Sequence, residues 1–263
     1  MSVLRSQRKI AQTEYENTFY TLYHFTRTMI EYVSNRRIKW VCPQIINKLN
    51  AAYSDIMSMT DYYSKNKSEK EQYDAEVSYR IISTLESLQK PMLAMWNVAS
   101  MKTTQMARWV DLANEEVELL NEHAKRTHKK FYLLDRETIS KAVFVQNMCD
   151  LHKYTHGKVS RAKNKYDDAQ GALLLKGVDD ALYYTCEASR IYPTSADTLK
   201  QRRDYFGKAI GSLKSMERPM LSYFNLMSYS DKTMSEWSEM LLYEIRLLTK
   251  VIHSDKDRFG HLQ

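Results

Sequence analysis

Apolar residues recur along this chain at three- and four-residue spacing, the period of a helix with one buried face. In "TEYENTFYTLYHFTRTMIEYV" the stripe is Phe19, Leu22, Phe25 or Thr26, Met29 and Val33. "RRIKWVCP" interrupts it, and Pro43 is placed to open a second helix, where its missing N–H would go unused. That helix carries Ile45, Ile46, Leu49, Tyr53, Ile56 and Met57. The polar run "YYSKNKSEKE" follows, with Ser68 and Glu71 at capping-box spacing. A third helix passes through Val77, Ile81, Leu85 and Leu88 towards Pro91, where a proline in helical register should kink or split it. Thr103 or Thr104 is placed to cap a fourth, with Met106, Trp109, Leu112, Val117 and Leu120 on its stripe. The plan then recurs. Asp135 caps "RETISKAVFVQNMCDLHKYTH", which Gly157 ends, and "KVSRAKNKYDDAQG" reads as a polar loop. "ALLLKGVDDALYYTCEASRIY" is a second helix stopped by Pro193, a third opens at Thr194 or Asp197, and a fourth at Asp231. The pattern predicts an all-α chain of two tandem up-down four-helix bundles, linked through "EHAKRTHKKFYLLD" at 122–135.

One phrase occurs twice. "KPMLAMWNVASMKTTQMARWVDLANEEVELL" at 90–120 aligns with "ERPMLSYFNLMSYSDKTMSEWSEMLLYEIRLL" at a constant offset of 128 residues. Pro91 meets Pro219, Met92 meets Met220, Asn97 meets Asn225, Trp109 meets Trp237 and Glu116 meets Glu244. Upstream, Ile82 meets Ile210, Leu85 meets Leu213, and His24 meets His152. No gap is needed, and tryptophan is rare, so the expected organisation is a duplication with units 1–128 and 129–263. Trp109 and Trp237 should then sit in equivalent environments.

Composition agrees. With 6 glycines and 4 prolines in 263 residues the chain lacks the turn residues a strand-rich fold needs. No apolar run approaches the length of a membrane span, and no apolar core follows the basic opening "MSVLRSQRKIAQTEYENTFY", so no secretory signal is expected. Three scattered cysteines, Cys42, Cys149 and Cys186, suit free thiols in a reducing cytoplasm. The 14 methionines read as core filling before an adaptable binding surface.

Catalytic patterns are missing from the sequence. There is no Gly-rich phosphate loop and no nucleophile elbow. None of the histidines follows a Glu by three residues, the pattern of di-iron bundles. Cys149, His152 and His156 share one helical face, but a half-buried Cys beside two polar histidines is the preferred reading over a metal site, so no metal and no cofactor is expected. The formal charge of +7 permits phosphate neutralisation. Basic residues cluster beside aromatics: Arg36, Arg37 and Lys39 before Trp40; Lys129 and Lys130 before Phe131; Lys158, Arg161, Lys163 and Lys165 before Tyr166; Arg202, Arg203 and Lys208 around Tyr205. These are the candidate nucleic-acid or partner contacts. Arg202, Arg203 and Lys208 are expected to serve a surface, the alternative being that one of the arginines pairs with a carboxylate inside its own unit.

Ile191-Tyr192-Pro193-Thr194, then Arg202-Arg203-Asp204-Tyr205 and Ala209-Ile210, resemble the four-helix-bundle proteins related to the accessory variability determinant of diversity-generating retroelements, a group that includes the bundle proteins of 23S ribosomal RNA intervening sequences. The opening Met1-Ser2-Val3 with Arg8 and the ending "EMLLYEIRLLTKVIHSDKDRF" are similar to the branch found beside reverse transcriptases. The resemblance covers 173–259, and in the first half only the N-terminus and 91–120. There Ser64-Lys65-Asn66-Lys67 replaces the Tyr-Pro turn and Asp74-Ala75 stands in place of the paired arginines. It implies a non-enzymatic, basic, oligomeric helper that binds a reverse transcriptase and its template RNA or complementary DNA. With two bundles fused, the expected state is a monomeric pair or a small homo-oligomer, cytoplasmic and without a membrane partner. The alternative is an RNA-associated or structural bundle protein with no reverse transcriptase partner.

Overall fold

The computed structural model describes residues 14–32, 40–99, 101–124, 142–161 and 165–262, and every regular element among them is helical. In chain order these are α1 (Glu14–Tyr32), α2 (Val41–Asp61), α3 (Lys67–Glu86), α4 (Gln89–Ala99), α5 (Thr103–Ala124), α6 (Val143–Val159), α7 (Lys165–Arg190), α8 (Ala196–Ser215), α9 (Glu217–Met227) and α10 (Asp231–Phe259). A 3-10 turn, Gly260–Leu262, follows. None of the described helices is long and apolar enough to cross a membrane.

The chain divides into two compact units. The first runs to Met92 and resumes at Met101; the second takes in Leu93–Ser100 and the described residues from 142 on. In the first unit α1 and α3 each pack on both α2 and α5. In the second, α6 and α8 each pack on both α7 and α10, and α9 lies against α7.

Several helix ends differ from the sequence reading. Gly157 does not end α6, which continues to Val159. The two extra residues bury Val159 against α7 so closely that a Cβ on Gly171 would lie 2.6 Å from Val159 Cγ1. That packing outweighs the ~1 kcal/mol cost of a helical glycine. The polar segment after it is largely helix too, because α7 begins at Lys165, and acidic residues near a helix N-terminus are favourable there. Asn66 caps α3 by accepting from Ser68 N–H, so Ser68 and Glu71 do not form the expected box. Ser195 caps α8, between the expected Thr194 and Asp197, and Thr198 completes a true capping box. At α5 the Gln105 side chain accepts from Lys102 N–H, one residue ahead of Thr103. Pro91 and Pro219 do split their helices. Each lies in the first turn of a new helix, and the break falls about where the proline ring would strike the carbonyl four residues back, at Ser87 and Ser215.

Buried positions repeat from unit to unit. In α3 and α8, Ser78 matches Phe206, Ile81 matches Ala209 and Leu85 matches Leu213, all at the offset of 128. In α5 and α10, Trp109, Ala113, Glu116 and Leu120 match Trp237, Leu241, Glu244 and Leu248 in the same way. The first two helices of each unit are shifted to 129: Phe19 matches Met148, Leu22 matches Leu151, Thr26 matches Thr155, Ile45 matches Leu174, and Leu49 matches Val178. The gapless register therefore holds through α3 and α8 but does not extend to the first two helices of each unit. The second unit is one residue shorter between its cap at Ser195 and Phe206, and the counterpart of His152 is Tyr23, not His24.

Hydrogen bonds follow the corrected register. Trp109 Nε1 donates to Thr26 Oγ1 at 2.7 Å, and Trp237 Nε1 to Thr155 Oγ1 at 3.0 Å, with all four residues fully buried. Tyr23 donates to Asn50 Oδ1 at 2.7 Å where the second unit has His152 and Asp179 at 2.9 Å. Glu116 and Glu244 are fully buried, and neither carboxyl has a hydrogen-bond partner among the described residues. Burial pushes them up to about 9 and about 8, so both are neutral acids inside the fold at pH 7.

Candidate nucleic-acid and partner interface

Arg36, Arg37, Lys39, Lys129, Lys130 and Lys163 lie outside the described residues, as does the side chain of Lys165 at the start of α7. Lys158, Arg161, Arg202, Arg203 and Lys208 are described, and they do not behave alike.

Lys158 projects from the last turn of α6, where the negative end of the helix favours a cation. Its Nζ lies 4.7 Å from the ring centre of Tyr154 and 5.6 Å from that of Tyr229. Both rings are anchored: Tyr154 donates to Glu236 Oε2 at 3.2 Å and Tyr229 to the Lys158 carbonyl at 2.9 Å. Burial and the nearby charge of Arg161 lower the Lys158 ammonium, and Glu236 opposes them. Arg161, just past the helix, is exposed. Two like charges are thus held close at one end of α6. The side chain of Tyr166, the aromatic neighbour expected from the sequence, lies outside the described residues; Tyr229, 71 residues from Lys158, is an aromatic neighbour that the sequence did not point to.

Lys208 repeats the arrangement on α8. It lies 5.8 Å from the ring centre of Tyr184 and 5.5 Å from that of Tyr205, and those rings stack on each other at 6.2 Å. A lysine over a tyrosine ring holds positive charge beside a flat apolar surface, which a phosphate and its base would meet together. One turn or so earlier, Arg203 and Lys200 line a shallow pocket with Leu199, Asp204 and Leu262.

Arg202 is a different kind of residue, and its contacts are those of the alternative expected for one of the arginines, a carboxylate partner inside its own unit. Its Nε donates to Asp255 Oδ2 at 2.7 Å, and its Nη1 donates to the carbonyls of Ala188 and Ile191, each at 2.8 Å. The guanidinium lies over the Phe206 ring, and the two charged side chains are only 13% and 2% exposed. Ala188 belongs to the last turn of α7, whose carbonyls have no helical partner. Arg202 therefore caps α7 from α8 and ties both to α10. Pro193 keeps α7 from continuing, Ser195 restarts the chain, and Arg202 closes the corner.

The face of Cys149, His152 and His156 is more organised than its spacing suggested. Asp179, from α7, places Oδ1 2.9 Å from His152 Nε2 and 2.8 Å from His156 Nε2. All three residues are buried, and their ligand atoms lie within 4.8 Å of one another, a set that could take a metal. Hydrogen bonding already fixes the ring proton of His152, however. Asn97 must point its NH2 group at the Cys149 carbonyl (2.9 Å), and the same nitrogen lies 3.0 Å from His152 Nδ1. Nδ1 is then an acceptor, so Nε2 carries the proton and donates to Asp179, leaving no lone pair there for an ion. Burial, with the neighbouring imidazole of His156, holds His152 down to about 4. Burial opposes the charge on Asp179, but the two imidazoles outweigh it and hold the carboxyl well below the usual range. The group is a buried knot in which one carboxylate oxygen is shared by two imidazoles. Cys149 does not join it, and burial pushes its thiol up to about 12. No protein-family model, no curated protein and no solved structure matches the chain.

Proposed function

We propose that the chain is a tandem pair of four-helix bundles, 1–128 and 129–263, that acts without catalysis as a nucleic-acid-binding accessory to a reverse transcriptase in a diversity-generating retroelement. The observation that carries the nucleic-acid part is the paired arrangement in the second unit, with Lys158 over Tyr154 and Tyr229, and Lys208 over Tyr184 and Tyr205. Most of the chain's positive excess also lies in that half. The reverse-transcriptase part rests on the resemblance over 173–259 alone. Template RNA and its complementary DNA are the nucleic acids this role would bring to the surface. Affinity purification of the full chain from its own host is the test, with reverse transcriptase identified by mass spectrometry and RNA by sequencing. Recovery of both supports the proposal.

A second reading is favoured by Arg202. The residue that anchors the resemblance is spent inside its own unit, so the motif can mark a shared fold without a shared partner. On this reading the protein is an RNA-associated or structural bundle, and the purification returns RNA, or nothing, without the enzyme.

A further inference from the structure

Two lysine–tyrosine arrangements stand in the second unit, and the packing of its helices keeps them apart. Because α6 and α8 each pack on both α7 and α10, the order around the unit is α6, α7, α8, α10. Helices α6 and α8 occupy one diagonal, α7 and α10 the other. Each neighbouring pair leaves a groove on the outside. The groove between α6 and α10 therefore lies opposite the groove between α7 and α8.

Lys158 marks the first groove. It leaves α6 to lie over Tyr154 of the same helix and over Tyr229, which stands just before α10. Tyr154 reaches across the groove to Glu236 on α10. Lys208 marks the opposite groove. It leaves α8 to lie over its own Tyr205 and over Tyr184 of α7. All four rings are half-buried, and the two arrangements share no residue. With helices 10–12 Å thick and about 8–10 Å between axes, the two grooves lie roughly 20 Å apart across the unit. Glu236 and Glu239 are exposed on α10, so a strand that meets Lys158 and Arg161 finds negative charge, not a basic track, along that helix.

We infer that the second unit holds two separate single-stranded segments at once, one in each of these opposite grooves, each with a phosphate at the lysine and a base against the tyrosines. This rests on the reading of the same surfaces as nucleic-acid contacts, and adds how many strands they take and in what form. Unpaired bases fit because a tyrosine face needs a free base face to stack on, whereas a duplex presents only base edges in its grooves. One chain then fixes two strands, or two distant parts of one strand, on either side of the same four helices.

Photo-crosslinking of the full chain with a trinucleotide of 4-thiouridine tests it. At ~3.4 Å per stacked nucleotide the probe covers about 10 Å, too little to reach both grooves. Among chains whose intact mass shows more than one adduct, digestion should find one adduct on Tyr154 or Tyr229 and another on Tyr184 or Tyr205. Lys158→Glu with Arg161→Glu should abolish the first adduct and keep the second, and Lys208→Glu should do the reverse. Circular dichroism checks that the variants fold, and Lys158→Gln replaces Lys158→Glu if the latter does not. A variant that abolishes both adducts, or chains labelled in one groove or the other but never in both, overturns the inference and leaves nucleic-acid binding standing. So does a longer RNA that binds while the trinucleotide labels neither groove. If neither RNA binds, the nucleic-acid reading fails and the inference falls with it.

Discussion

Replacing Arg202 by alanine removes more than a surface charge. The change deletes the 2.7 Å bond to Asp255 and the 2.8 Å bonds to the carbonyls of Ala188 and Ile191, and leaves a carboxylate whose side chain is 2% exposed with no cation beside it. Breaking a buried pair by removing one partner costs about 3–5 kcal/mol, most of it the penalty of the stranded charge. At roughly 2–4 °C per kcal/mol for a chain of this size, the melting temperature should fall by on the order of 10 °C. Urea unfolding followed by far-ultraviolet circular dichroism measures the loss directly, with Lys208→Ala as the exposed control, expected within about 0.5 kcal/mol of wild type. Asp255→Ala should cost less than Arg202→Ala, because arginine keeps its two carbonyl acceptors. The double variant should fall short of the sum of the singles by about 0.5–3 kcal/mol, the coupling expected of residues in contact. A loss under about 1 kcal/mol for Arg202→Ala, or strict additivity, would refute the clamp and return Arg202 to the interaction surface.

Three further outcomes follow from the core. Glu116 and Glu244 are raised from 4.5 to about 9 and about 8, so the fold keeps protons that the unfolded chain releases. Their contribution is whole below about pH 4.5 and is lost as the pH rises towards those raised values. His152, lowered from 6.5 to about 4, works the other way and only on the acid side of 6.5. Between pH 6.5 and 8 stability should therefore decline, by at most about 1.4 kcal/mol per pH unit for each carboxyl, and Glu116→Gln or Glu244→Gln should flatten the decline in chemical unfolding. Thr26→Val and Thr155→Val should each cost about 1–3 kcal/mol, since each strands a buried indole N–H, and similar losses are what equivalent environments require. Alkylation of the native protein should label Cys42 first: it is only partly buried, whereas Cys149 and Cys186 are buried and held well above the ordinary thiol range by that burial.

Local features were legible in the sequence and distant pairings were not. The apolar stripes located the helices because a helix with one buried face writes its period into the chain, and Pro91 and Pro193 marked real breaks. Glycine and capping signals were weaker guides. Gly157 reads as a stop, yet the burial of Val159 two residues on carries the helix past it. Asn66 and Ser195 are caps that compete with neighbouring residues of equal propensity. The partners that define the polar core and the corner came from far along the chain: Asp179 lies 27 residues from His152, and Asp255 lies 53 residues from Arg202. No periodicity encodes such separations. The one-residue shift between the halves was hidden for a related reason, since only buried positions and the Trp–Thr bonds reveal it.

The most direct test of the account is the affinity of the full chain for a short single-stranded RNA, measured by fluorescence anisotropy across a salt series. Each phosphate neutralised contributes a slope of about −0.7 in log affinity against log salt for a single strand. The account predicts a slope corresponding to a few contacts, made shallower by about one contact per residue removed in Lys158→Glu, Arg161→Glu and Lys208→Glu. Affinity that is absent, or that does not change with salt, with the reverse transcriptase present as well as without it, would contradict it.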